Sequence, residues 1–197
     1  MGTRHLICVV KDGDYKVAQY GQWDGYPSGQ GVDILNFLAS MDRKLFESKV
    51  DLLSWITDDE LQEQWRECGA NDNSGFVTME VADKHNLLYP ENSRDTGAKL
   101  LGIIQDADRP IKLVNQVKFA GDSLFCEWAY VIDLDKNVLE VYEGFNKEPH
   151  QGERFSDFER DKEDSEYYPV KLAQTFDLNN LPSVEDFLSI LEPNEEE

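Results

Sequence analysis

The spacing of apolar positions changes along the chain from strand-like to helix-like and back again. Residues 4–10 (Arg-His-Leu-Ile-Cys-Val-Val) are β-branched and apolar without clean alternation, which predicts a strand covered on both faces. Lys11-Asp12-Gly13-Asp14 is a turn, and 15–22 returns as the second strand of a hairpin. Regular alternation puts Tyr15, Val17 and Gln19 on one face with Trp23, and Ala18, Tyr20 and Gln22 on the other.

A helical period follows. It predicts a helix from about Val32 to Met41, then a short one capped by Asp42 that runs through Leu45, Phe46 and Val50. Thr57-Asp58-Asp59-Glu60 is a capping box, with Ile56 and Leu61 at the staple positions, and its helix stops after Cys68 at Gly69. Thr78 predicts the cap of a helix to Leu88. Ser93 predicts another, to about Asp106, with Leu100, Leu101, Ile103 and Ile104 buried and Asp95 set against the helix dipole.

From Ile111 the period is two again, giving strands at 111–119, 124–134 and 138–142. Leu124, Cys126, Trp128, Tyr130 and Ile132 form one row, with Glu127 opposite beside Phe125, Ala129 and Val131. Residues 146–166 read as an exposed acidic loop, 170–176 as a last strand, 184–191 as a helix capped by Ser183, and 193–197 as a fraying acidic tail. Strands, then helices, then strands, without βαβ alternation, predict an α+β fold: one domain over 1–192 with a largely antiparallel sheet.

Composition narrows the function more than the fold. Ten Phe, eight Tyr and four Trp supply a core for 197 residues. A net charge of −21, spread along the whole chain, disfavours a direct nucleic-acid ligand and leaves room for an acidic surface that engages a basic protein partner. No run approaches the roughly 18 apolar residues of a membrane span, and the first residues do not read as a secretory leader. Cys8, Cys68 and Cys126 read as buried free thiols, so a cytoplasmic location is the expectation.

Metal and cofactor chemistry find no support. Asp72-Asn73-Ser74-Gly75 hints at a calcium loop, but Ala70 and Val81 fall where carboxylates are required. His5, His85 and His150 lack zinc spacing, and there is no phosphate cradle or dinucleotide fingerprint. Asp95-Thr96-Gly97 spells the aspartic-protease triad but reads as a helix start, not as half of a carboxylate dyad.

The densest recognition chemistry lies in 19–31, Gln-Tyr-Gly-Gln-Trp-Asp-Gly-Tyr-Pro-Ser-Gly-Gln-Gly. Trp23 and Tyr26 offer stacking surfaces, Gln22, Asp24 and Gln30 offer polar readers, and Arg4 and Glu127 are expected to pair beside them. The expectation is a small molecule or protein partner bound at Gln22–Gly31, or else a loop that plugs the core.

The start of the chain bears on two resemblances. Gly2-Thr3 before a hairpin resembles the opening of N-terminal-nucleophile hydrolases over about the first 22 residues. That resemblance implies a layered sandwich fold, with Thr3 as nucleophile and its freed amine as base. The lysine that proteasome-type members carry about thirty residues on is absent: Val32, Asp33, Ile34 and Leu35 stand there. The block Gln22-Trp23-Asp24-Gly25-Tyr26-Pro27, with the Thr3-Arg4 start, resembles uncharacterised microbial, fungal and phage-encoded proteins that begin Met-small-Thr-Arg. The segments 93–98 and 127–134 resemble the fungal members, and the resemblance implies no particular activity.

Overall fold

A computed structural model describes residues 2–71, 77–160 and 165–192. Hairpin strands β1 (His5–Lys11) and β2 (Asp14–Gly21) are followed by helices α1 (Val32–Ser40) and α2 (Arg43–Val50), strand β3 (Ser54–Trp55), and helices α3 (Asp58–Cys68), α4 (Met79–Leu88) and α5 (Lys99–Asp106). Strands β4 (Lys112–Leu113), β5 (Trp128–Asp133), β6 (Val138–Glu143) and β7 (Lys171–Asp177) and helix α6 (Val184–Leu191) complete the chain. The fold is α+β.

The five-stranded sheet has the order β2-β1-β5-β6-β7. Each half is antiparallel, and the halves meet at a parallel pair, β1 with β5. These two central strands are covered on both faces, β5 throughout and β1 up to Lys11, which is why neither shows alternation in sequence. On one face Ile7, Val9, Tyr130 and Ile132 pack against α1, α2, α5 and α6. On the other, Leu6, Cys8, Ala129 and Val131 are covered by irregular chain around Ala120, Cys126, Phe155 and Val170. The second sheet is only the two-residue pair of β3 and β4, so among the described residues no large sheet stacks on the first, as the N-terminal-nucleophile sandwich would require.

The capping signals are formed as expected. Thr57 and Glu60 close a reciprocal capping box on α3, Asp42 caps α2, Thr78 caps α4 and Ser183 caps α6. Other expectations are corrected. A bulge at Val9–Val10 shifts the register, so Tyr15 packs with the face opposite to Val17.

The expected strand 111–119 pairs over two residues only, because Gln116 turns to close the edge of β2. Its N–H donates to the Ala18 carbonyl at 2.9 Å and its side-chain oxygen accepts from the Tyr20 N–H at 2.9 Å. Residues 124–126 are a turn closed by Cys126 N–H to the Asp122 carbonyl at 2.7 Å, so Cys126 lies in the opposite cluster from Trp128. Helix α5 begins at Lys99 rather than after Ser93, and Asp95 therefore serves no helix dipole.

Segment 146–160 is more than an exposed loop. It buries Phe155 completely and sets Arg154 over the sheet, where the guanidinium bonds Asp133 and, at 2.6 Å, Glu140. Both carboxylates are nearly inaccessible, and Tyr142 donates to Glu140 at 2.8 Å. Residues 161–164, the tail 193–197 and the calcium-like 72–75 lie outside the described residues.

Arg154→Met is expected to destabilise the fold by about 2–4 kcal/mol, because it leaves two buried carboxylates with only the exposed Lys136 ammonium, 3.8 Å from Asp133 and 3.6 Å from Glu140, beside them. Urea unfolding of the variant measures this.

Candidate functional site

The 22–31 loop leaves β2 at Gly21 and dips inward at Gly25, Pro27 and Gly31, while Trp23, Asp24, Tyr26 and Ser28 stay exposed. A side chain at Gly21 would strike the His5 ring at 2.1 Å, and one at Gly25 would meet the Thr3 carbonyl at 2.8 Å. That close approach lets the Gly25 N–H donate to the Thr3 carbonyl at 2.9 Å. From beneath, the Tyr130 hydroxyl donates to the Gly25 carbonyl at 2.8 Å. Tyr130 is wholly buried, and burial pushes its phenol well above the usual range, so it stays a donor.

Asp24 turns the chain at φ +56, and its carbonyl accepts from the Gln30 N–H at 2.8 Å. A single π-helical turn, Pro27–Gly31, then runs into α1. In place of the expected Ser93 cap, the Gln30 side-chain oxygen accepts from the Ala98 N–H at 2.7 Å, at the start of α5.

The loop's side chains thus divide. Gln22 accepts from the Tyr20 hydroxyl, and Gln30 serves α5, so these two of the three expected polar readers bond within the protein. Asp24 and Tyr26 are exposed but line none of the cavities described below. Arg4 and Glu127 do come together: the Arg4 N–H donates to Glu127 at 3.2 Å, the side chains lie 3.7 Å apart, and the guanidinium covers the Phe125 ring. They extend the β1–β5 ladder and stand apart from those cavities. Thr3 is buried and likewise lines none of them.

Trp23 is the exception. Its indole is about half exposed and donates to Asp95 at 2.8 Å; Asn86 of α4 donates to the other oxygen of Asp95, also at 2.8 Å. Ser93 supports the arrangement by donating to Asn86 at 2.6 Å and accepting from the Asp95 N–H at 3.1 Å. Asp95, read in sequence as a helix start, in fact ties the loop to α4.

Trp23 so placed forms one wall of a cleft of about 640 Å³ between edge strand β2 and the pair α3–α4. Tyr20 and Gln116 line the strand side, while Trp65, Met79 and His85 line the helix side. His85 is 1 % exposed and stacks on Trp65 with ring centroids 3.8 Å apart and planes 8° from parallel. Burial lowers its pKa, so the ring is neutral. Neither ring nitrogen has a hydrogen-bond partner in the protein.

A hollow of about 770 Å³ lies beyond Tyr20 and Gln116, against Phe119 and Phe158. Although larger, it contains none of the unpartnered buried polar atoms found among the described residues, and its Arg160 is engaged with Tyr168 and the Ser165 carbonyl. The chemistry favours the cleft. Among the described residues no cluster of His, Cys, Asp and Glu is suited to a metal, and the three cysteines are buried and free.

In sequence His85 stands out only for its lack of zinc spacing. The usable signal was α4 itself, Met-Glu-Val-Ala-Asp-Lys-His-Asn-Leu-Leu, which lacks a wide apolar stripe and buries its histidine alone.

Two outcomes follow from the loop's anchoring. Tyr130→Phe strands the buried Gly25 carbonyl and is expected to cost about 1–3 kcal/mol in urea unfolding. His5, beneath the loop, is buried beside the Thr3 backbone, and burial, outweighing that contact, holds its pKa down to about 4 from the usual 6.5. The unfolded chain therefore takes up this proton first. The stability tied to His5 is whole above about pH 6.5 and falls by about 3 kcal/mol as pH drops toward about 4, with His85 adding in the same direction. Urea midpoints measured at roughly pH 7 and pH 5 should converge in His5→Asn; an equal drop in native and variant protein contradicts the assignment.

Compared with protein-family models, curated proteins and solved structures, the chain matches none, so any functional reading rests on these side chains.

Proposed function

We propose that this is a binding protein for a small molecule with a flat apolar body, held in the cleft between β2 and the α3–α4 pair. The observation that carries the reading is the make-up of that cleft: about 640 Å³ walled by Trp23, Trp65 and Tyr20, with Asn86, Asp95 and Gln116 also on its walls. Apolar walls with a few fixed polar groups are the usual composition of small-molecule sites. In this reading the Gln22–Gly31 loop contributes one contact surface, Trp23, and serves otherwise as its mount.

Membership of the microbial, fungal and phage group with the Trp-Asp-Gly-Tyr-Pro block belongs to the same proposal. The motif then marks a frame rather than a set of ligand contacts. The buried free thiols fit a reducing compartment, and we propose the cytoplasm. Among the described residues no helix is long and apolar enough to cross a membrane.

Ligand-observed NMR with neutral bicyclic aromatics such as indole tests the reading. Saturable binding is expected, weakened about tenfold or more in Trp23→Ala, as for a central aromatic anchor. No binding by any bicycle, or binding indifferent to Trp23→Ala, rejects it.

A further inference from the structure

Aromatic walls accept two kinds of body: another ring, or an organic cation set against a ring face. Tyr20, Trp23 and Trp65 all stand on the walls of the cleft, and the charges between them decide which ligand they suit.

Three charged side chains line the cleft, Asp83, Arg94 and Asp95. Two of them answer each other. Asp95 holds the Trp23 and Asn86 donors, and it lies 3.9 Å from the Arg94 guanidinium, so that pair contributes little net charge. Asp83 is left over. It is exposed, and among the described residues it has no ion pair and no hydrogen bond. Its neighbour Lys84 turns to α3 instead, where the ammonium donates to the Glu67 carbonyl at 2.8 Å.

The helical period faces Asp83 to the cleft. Met79, Ala82, Asp83 and Asn86 recur at three- and four-residue spacing on α4, and all four line it. Asp83 therefore stands one helical turn, about 5 Å, from Asn86, the residue through which α4 reaches Asp95 and the Trp23 indole. The field of the whole chain acts in the same sense, since a net charge of −21 favours a cation and opposes an anion.

We infer that the cleft takes an aromatic amine: a flat ring system among Tyr20, Trp23 and Trp65, with a protonated amino group on a short linker beside Asp83. This rests on the cleft being a binding site, and it adds the charge of the ligand and the residue that reads it. Because Asp83 is exposed it attracts through water, so its effect is a few-fold in affinity and is screened by salt.

Three indoles with side chains of matched length separate the possibilities: tryptamine ends in an ammonium, 3-propylindole in a methyl and indole-3-propionate in a carboxylate. Near neutral pH and at low salt the native protein is expected to bind tryptamine about tenfold more tightly than indole-3-propionate, because one exposed charge attracts the first and repels the second. In Asp83→Asn that ratio should fall by about fivefold, while 3-propylindole binding stays within about twofold of native. The substitution alters a net charge of −21 by one, so attraction to the chain's overall field survives it and a lost preference is local to Asp83. Raising the salt to about 0.5 M should shrink the native ratio by a similar factor.

Carboxylate carbon NMR of the native protein gives a readout that needs no variant. The Asp83 resonance should move on adding tryptamine and stay in place with 3-propylindole. Indole-3-propionate binding as tightly as tryptamine, or a ratio unchanged in Asp83→Asn, overturns the role of Asp83 while leaving the binding reading standing. Absence of binding by all three removes the binding reading itself.

Discussion

A single hydrogen bond, from the Tyr130 hydroxyl to the Gly25 carbonyl, joins the centre of the sheet to the loop that frames the cleft. Tyr130 stands on β5 between Trp128 and Ile132 in an apolar cluster, so its hydroxyl must find an acceptor there. It finds one only because the chain after β2 dips inward. Gly25 can approach because it has no side chain, and its N–H is held in turn by Thr3 at the head of β1. From that anchor the course of the loop is determined in both directions. Backward it sets Trp23 against Asp95, and forward it delivers Gln30 to the start of α5.

The two faces of the sheet meet the demands of buried polarity differently. The helical face admits single polar side chains, Tyr130, His5 and Gln19, among apolar neighbours. The opposite face carries Arg154 with Asp133 and Glu140, and the guanidinium holds Glu140 below the usual carboxylate range against a burial that alone would raise it. That cluster is what allows an irregular, charge-rich segment to serve as a core layer. Helices α3 and α4 belong to neither face. Cys68 and His85 are their only buried residues, and they hold to each other through the Trp65–His85 stack and the Lys84 ammonium, which donates to the Glu67 carbonyl at 2.8 Å. One wall of the cleft is therefore the rigid sheet edge, while the other is a lightly anchored helix pair, the kind of element that opens locally at low cost.

Much of the fold was legible because its signals are local. Capping residues, the hairpin turn and the unalternating core strands each act over a few positions, and Asp42, Thr57, Thr78 and Ser183 all cap as expected. What could not be read were contacts between segments far apart in sequence. Gln116 ends the expected strand at 111–119 by pairing with β2, roughly a hundred residues away, and Gln30 replaces Ser93 as the partner of α5. The candidate site shows the same division. The density of Trp, Gly and amides in 19–31 pointed to the loop that carries Trp23, while Gln22, Gln30, Arg4 and Glu127 bond within the protein, and Trp23 alone of the expected residues lines the cleft. Asp95 gains its place only when Asn86 of α4 is brought beside the loop, a contact between distant segments that the residues around Asp95 do not encode.

The Gln22–Gly31 loop is a fixed mount for Trp23, anchored to the core at Gly25 and to α5 at Gln30, and not a mobile recognition loop. Native-state amide hydrogen exchange at Gly25 and Gln30, whose N–H groups are bonded to Thr3 and Asp24, tests this directly. The account predicts protection comparable to the amides of β1 and β5, lost only on global unfolding. Exchange of these two amides at the rate of exposed loop residues would contradict it.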